Sequence, residues 1–251
     1  MLNYQQRGQG PDVILVHGLF GSLDNLGNLA RQLETQFRVT TVDLRNHGKS
    51  FHDDTMTYPA MAGDLIALMD QLGINRARFV GHSMGGKAVM ELALNYPNRV
   101  DKLVVADIAP VAYQKRHHDA VFTALTTVEP SDYNNRKDVE AAVSQYITDP
   151  GVRLFILKNL QKGENGYYWR LNVPVLAAHY QDVLAAPSGQ PFGGPTLFIK
   201  GSESPYLTEQ HADTVKQLFP GASLKVIQGT GHWLHAEKPA VFNKLVLDFL
   251  S

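Results

Sequence analysis

The sequence predicts an α/β fold, a mostly parallel central sheet flanked by helices, with a helical segment inserted into it. Three observations predict it. Short apolar runs of strand type alternate with amphipathic helical stretches over residues 1–109, and again over 195–251. Between them, residues 110–194 read almost wholly as helix broken by prolines. Finally, the apolar run Arg78-Phe79-Val80 passes through Gly81-His82-Ser83-Met84-Gly85 directly into a helical pattern.

Taken in order, residues 2–6 and 13–17 read as strands separated by the turn Gly8-Gln9-Gly10-Pro11, where Gly and Pro interrupt both regular periods. Residues 23–36 place Leu26, Leu29, Ala30 and Leu33 on one helical face, and residues 38–44 form the next strand. Met61, Leu65, Leu68, Met69 and Leu72 recur at helical spacing, with Gly73 as the stop. The strand before Gly81, a helix over 85–95 and a strand over 103–106 follow. Short connections between alternating elements imply right-handed crossovers and parallel pairing.

That alternation stops at Ile108-Ala109-Pro110. Helices are expected over 120–128, 138–147, 152–160 and 175–184, divided by Pro130, Pro150-Gly151 and Pro174. Strand and helix resume over 196–200, 209–219, 224–227 and 240–250. The expected organisation is therefore one structural unit: a core of 1–109 and 195–251, and a helical cap of 110–194 over the carboxyl ends of the strands, where open parallel sheets hold their ligands.

The 251 residues carry 23 Lys plus Arg against 24 Asp plus Glu, so no global field favours nucleic acid or an anionic membrane surface. No apolar run approaches the roughly 20 residues needed to span a bilayer. The absence of cysteine excludes disulfides, thiolate metal sites and a cysteine nucleophile. With a polar N-terminal stretch, Met1 to Gly10, this reads as a soluble, cytoplasmic chain. Nothing in the patterning specifies an oligomeric state.

The chemistry-bearing residues converge on acyl transfer. Glycines two before and two after Ser83 remove side chains where the backbone turns tightly and leave the hydroxyl exposed as a nucleophile. A serine hydroxyl is weak near neutral pH and needs a neighbouring base. Among ten histidines, His232 is the candidate, on a glycine-bounded loop, Gly229-Thr230-Gly231-His232-Trp233, after the last strand. His82 is expected to point away from the chemistry, His47 to lie in a turn, His117 and His118 to be solvated, and His235 to pack at a helix start. After the strand ending at 13–16, His17-Gly18-Leu19-Phe20-Gly21 presents backbone N–H groups. Those of Leu19 and Met84 are the expected oxyanion donors, each worth about 3 kcal/mol of barrier where such donors have been removed in other enzymes.

Two carboxylates compete to orient the imidazole. Asp107 follows the apolar strand Leu103-Val104-Val105-Ala106, whereas Glu203 lies on the later loop Gly201-Ser202-Glu203-Ser204. Expected burial favours Asp107, because an unpaired buried carboxylate costs several kcal/mol, and Ser204 can support it by hydrogen bonding. Phe20, Tyr206 and Trp233 are the aromatic candidates for lining a substrate pocket. The charged turn Asp43 to Ser50 reads as a hydrogen-bonded, ion-paired turn. Lys87, Lys115, Arg116, Arg136 and Lys137 read as solvated charge.

These residues, in the chain order serine, acid, histidine, resemble the α/β-hydrolase superfamily, and more narrowly the YbfF-type bacterial esterases. The shared phrases run from Val16-His17-Gly18-Leu19-Phe20-Gly21 and Gly81-His82-Ser83-Met84-Gly85-Gly86-Lys87 through Asp107-Ile108-Ala109-Pro110 and Trp169-Arg170-Leu171-Asn172 to Ser204-Pro205-Tyr206 and Gly231-His232-Trp233. The resemblance implies an esterase or acyl-CoA thioesterase using Ser83, His232, Asp107 and a supporting Ser204. The expected reaction is cofactor-free and metal-free hydrolysis of a small acyl ester or thioester. Carbon-carbon bond hydrolysis by the same residue types is the alternative, and a non-catalytic ligand receptor the more distant one.

Overall fold

The computed structural model describes all 251 residues, Met1–Ser251. Its strands are β1 (Tyr4–Arg7), β2 (Asp12–Val16), β3 (Arg38–Val42), β4 (Ala77–His82), β5 (Val100–Ala106), β6 (Leu160–Gly163), β7 (Gly166–Trp169), β8 (Thr196–Gly201) and β9 (Ala222–Ile227). Seven of them form one sheet in the order β1-β3-β2-β4-β5-β8-β9. Every pairing in it is parallel except that of the polar edge strand β1 with β3.

Both faces of the central strands are covered, as a parallel sheet requires. Alternation sends Ile14, Val16, Phe79, Leu103 and Val105 to one core layer and Val13, Leu15, Val80, Val104 and Ala106 to the other. Helices α1 (Gly27–Leu33), α2 (Tyr58–Gln71) and α3 (Met84–Asn95) connect these strands. Every residue of α3 from Met84 to Leu94 is buried.

Between β5 and β8 the chain leaves the sheet through α4 (Asp119–Thr127), α5 (Arg136–Ser144), α6 (Pro150–Leu157), β6, β7, α7 (Val173–Ala178) and α8 (Tyr180–Leu184). It returns to pair β8 with β5. The expectation of an almost wholly helical insertion is corrected here: β6 and β7 form an antiparallel hairpin, turning at Gly163 and Gly166, the latter at φ 109°. The helix expected to reach residue 160 stops at Leu157, and Leu160 opens the hairpin instead. The core closes with α9 (Ala212–Leu218), α10 (Leu234–Glu237) and α11 (Pro239–Leu250).

Four non-glycine residues adopt left-handed backbone angles: Phe20 (φ 62°), Asn46 (φ 64°), Ser83 (φ 53°) and Asp107 (φ 54°). They follow β2, β3, β4 and β5 in turn, so all four sit on the carboxyl rim of the sheet. L residues avoid this region by roughly 1–2 kcal/mol each. Its confinement to one rim marks where the fold is constrained by something other than stability.

Candidate active site

The turn from β4 into α3 is tight because two glycines permit it. A Cβ on Gly81 would stand 2.4 Å from the Gly85 carbonyl oxygen, and one on Gly85 2.4 Å from that of His17. Any side chain there would separate strand from helix. Ser83 therefore stands at the apex, its N–H donating to the Ala106 carbonyl at 3.0 Å.

Its Oγ lies 2.9 Å from Nε2 of His232 on the loop after β9. Nδ1 of that ring lies 2.7 Å from Oδ2 of Asp107, which is fully buried. Asp107 also accepts the Gly201 N–H at Oδ1 (2.9 Å) and the Ser204 hydroxyl in a short bond at Oδ2. Ser204 Oγ in turn accepts the Tyr206 N–H at 3.3 Å. The structure thus brings Ser83, His232, Asp107 and Ser204 into one hydrogen-bonded line. Glu203 is exposed, and its side chain takes no part in that line.

With Nδ1 donating to a carboxylate, Nε2 is left as the acceptor for the serine proton. Two other rings pack against the imidazole. Tyr206 stacks on it at 4.1 Å between centroids, and His82 lies at 4.8 Å. Burial pushes the Tyr206 phenol up to about 12 and holds His82 well below the usual imidazole range. His82 Nε2–H donates to the His232 carbonyl at 2.8 Å, so the expectation that His82 points away is corrected. It props the loop that carries the base.

Ser83 and His232 open into a cavity of about 430 Å³, walled by Leu19 and Phe20 on one side and by His118, Val121, Val152, Phe155 and Ile156 of the insertion on the other. Trp233 lines it too, its ring 5.5 Å from that of Phe155. Tyr206 does not: its ring covers the imidazole rather than the cavity, which corrects its place among the pocket aromatics. His118, expected in solvent, lines the wall with Nδ1 against the Tyr180 hydroxyl at 2.6 Å, and burial takes its pKa down to about 4.

Two N–H groups belong to the surroundings of Ser83: Met84 follows it in the chain, and Leu19 lines the same cavity. That of Met84 is the first orphan donor of α3, and that of Leu19 makes no hydrogen bond within the chain. The Leu19 loop touches the nucleophile closely, since a Cβ on Gly18 would stand 3.3 Å from Ser83 Cβ.

Of the cations expected in solvent, Lys115, Arg116, Arg136 and Lys137 are exposed, but Lys87 is buried on α3. Its Nζ donates to the Leu184 and Ala185 carbonyls at 3.0 and 2.6 Å and lies 4.6 Å from the Tyr113 ring centroid. Burial pulls its pKa down to about 7. The only sequence signal for that burial is the apolar character of α3 on every face. Asn159, which no motif in the sequence marks, is a buried amide donating to the Phe20 carbonyl at 2.8 Å.

Residues 11–142 and 159–239 match the alpha/beta hydrolase fold family. The chain is 45% identical to "Esterase YbfF" of Escherichia coli (strain K12), over 98% of this chain and 96% of that protein. It is 39% identical to "sn-1-specific diacylglycerol lipase ABHD11" of Mus musculus, over 96% and 81%. Among solved structures, a "Marine microorganism esterase" superposes with a TM-score of 0.97 at 37% identity, covering 99% of this chain and 98% of that one.

Proposed function

Since the chain belongs to the alpha/beta hydrolase fold family and is a serine ester hydrolase, we propose that Ser83 is its nucleophile, His232 its general base and Asp107 the acid that orients the base. Ser204 supports Asp107, and the Leu19 and Met84 N–H groups hold the oxyanion. The observation that carries this reading is the unbroken line from Ser83 Oγ through His232 to buried Asp107 at the edge of a cavity.

Each step follows from that line. Ser83 Oγ bonds to the ester carbonyl carbon while His232 Nε2 takes its proton, and Asp107 stabilises the imidazolium that forms. Negative charge gathers on the former carbonyl oxygen, where preorganised N–H donors act without reorganising. Collapse breaks the bond to the leaving oxygen, which takes the proton from His232, and leaves acyl-Ser83. A water then loses its proton to His232 and attacks the acyl carbon; the bond to Ser83 Oγ breaks, Oγ takes that proton back from His232, and the acid leaves.

The same steps serve a thioester, with a thiolate leaving in place of an alkoxide. We include acyl thioesters in the substrate class on that ground. Residues 110–194 form the cap of this proposal, contributing the apolar wall against which an acyl chain lies. A cytoplasmic setting belongs to the same reading, since a chain without cysteine needs no oxidising compartment to fold.

The test is a graded panel of p-nitrophenyl esters and acyl-CoAs on wild type and Ser83→Ala, with mass spectrometry of the quenched enzyme. Wild type should show a burst of leaving group and an acyl adduct on the peptide carrying Ser83. Full turnover by pure Ser83→Ala would overturn the assignment.

A further inference from the structure

We propose that His47 and Asn159 are positioning residues for the oxyanion loop, one holding the N–H and the other the carbonyl of Phe20, so that the Leu19 N–H stays aimed at the substrate oxygen. The proposal rests on the reading of Leu19 as a donor. Neither residue lines the cavity, so each acts through the loop backbone.

The loop's peptides are held one by one. The Gly18 carbonyl accepts from His17 Nδ1 at 2.8 Å and from the Gly21 N–H at 3.0 Å. A trans peptide is planar, so fixing that oxygen sends the Leu19 N–H in the opposite direction. His17 can donate at Nδ1 only because its Nε2 accepts the Leu44 N–H at 3.0 Å, which selects the tautomer.

The next peptide is held by His47. The Phe20 N–H donates to His47 Nε2 at 3.1 Å, and His47 Nδ1 donates to the Arg45 carbonyl at 2.9 Å, so this ring also has one tautomer available. His47 is fully buried. The third peptide is held from the insertion: Asn159 Nδ2 donates to the Phe20 carbonyl at 2.8 Å, and the amide is 2% exposed.

Between these two grips Phe20 sits at φ 62°. A bulky residue leaves that region unless its neighbours over-determine it, and here the neighbours are His47 and Asn159. Releasing either lets φ return to negative values. That motion displaces Gly21, whose N–H helps to hold the Gly18 carbonyl, and so lets the Gly18–Leu19 peptide turn and carry the Leu19 N–H off the oxyanion position. Because one grip comes from the turn after β3 and the other from the insertion, the placement of the insertion is built into the geometry of the transition state rather than of substrate binding alone.

The test compares wild type with Asn159→Asp, which keeps the shape and turns a donor into an acceptor facing the Phe20 oxygen, and with His47→Leu and His47→Gln. Loss of an oxyanion donor costs roughly 10²–10³ in kcat, and a misplacement of about 1 Å costs about 10². Asn159→Asp and His47→Leu should therefore lower kcat by roughly 10- to 100-fold with KM within about twofold. His47→Gln, whose amide oxygen reaches the place of Nε2, should recover much of the loss.

Affinity for an acyl trifluoromethyl ketone, which places an oxyanion on Ser83, should fall by the same factor as kcat/KM. A merely structural role would lower the folded fraction and leave both quantities unchanged per folded enzyme. Should Asn159→Asp not fold, Asn159→Ser removes the donor without adding charge and carries the same expectation. Folded Asn159 variants with wild-type kcat and ketone affinity, beside an inactive Ser83→Ala, would overturn this inference alone. Activity in Ser83→Ala would overturn the reading beneath it.

Discussion

Asp107→Asn is the sharpest test of the proposed acid, because three donors converge on its two oxygens: His232 Nδ1–H and the Ser204 hydroxyl on Oδ2, and the Gly201 N–H on Oδ1. An amide has one acceptor oxygen. If that oxygen faces His232, the new NH2 faces the Gly201 N–H, and a buried donor is left unpaired at a cost of about 1–3 kcal/mol. If the NH2 faces His232 instead, the Gly201 N–H keeps its acceptor and the imidazole accepts at Nδ1 once its tautomer flips, leaving only the Ser204 hydroxyl to find a new acceptor. The second arrangement wins, and it puts a proton on Nε2, where Ser83 needs an acceptor. The minority arrangement regains the tautomer without the charge that stabilises the imidazolium. Together these predict a fall in kcat of about 10⁴, near 5 kcal/mol, as for the equivalent change in serine proteases. Stopped-flow burst amplitude and rate with a p-nitrophenyl ester measure it, with circular dichroism to check folding. Glu203→Gln should stay near wild type. Retention of more than a tenth of wild-type kcat/KM by Asp107→Asn, or an equal loss in Glu203→Gln, would refute the assignment.

Two further predictions concern pH. Buried His47 is held at about 3 and so stays neutral when folded, whereas in the unfolded chain it titrates at its ordinary value. Below about 6.5 the unfolded state binds the extra proton, so stability falls with acidification, by about 2 kcal/mol between pH 7 and 5. Urea midpoints should show wild type losing that much more than His47→Gln; parallel losses would contradict it. Lys87, at about 7 when folded, gives up its proton there while the unfolded chain keeps it up to its usual range. Stability of wild type relative to Lys87→Met should therefore rise by about 2 kcal/mol from pH 7 to 9, and a flat difference between those two pH values would show that the ammonium keeps its charge inside.

Much of the sheet could be read because its strands are buried on both faces and separated by glycine-stopped helices. Ser83, His232 and Asp107 lay in the sequence order that the topology turns into proximity. The β6–β7 hairpin was missed because each strand has only four residues, and Leu160 continues the helical spacing of α6. Lys87 looked solvated because residue type outweighed its place on a helix buried all round. The aromatic character of Tyr206 suits a pocket wall, and only its three-dimensional neighbours, Tyr113 and His232 among them, show that its ring covers the imidazole instead. Asn159 carries no local signal whatever, since its partner lies 139 residues away.

The left-handed residues along one rim also limit how this protein can be made more robust. At roughly 1–2 kcal/mol apiece, Phe20, Asn46, Ser83 and Asp107 together hold conformational stress that overlaps the lower part of the ~5–15 kcal/mol by which a typical domain is stable. Selection for heat resistance alone would relieve that stress, yet glycine, which tolerates the region, is costly at each position: at Phe20 it would empty a buried aromatic site. Ser83→Gly and Asp107→Gly would discard the proposed nucleophile and acid, and Asn46→Gly would cut the amide bonds to Asp53 and Asn172. Productive hardening is thereby directed to the opposite end of the sheet, among the amino ends of the strands and the β1 edge, where no side-chain-bearing residue is held in that backbone region.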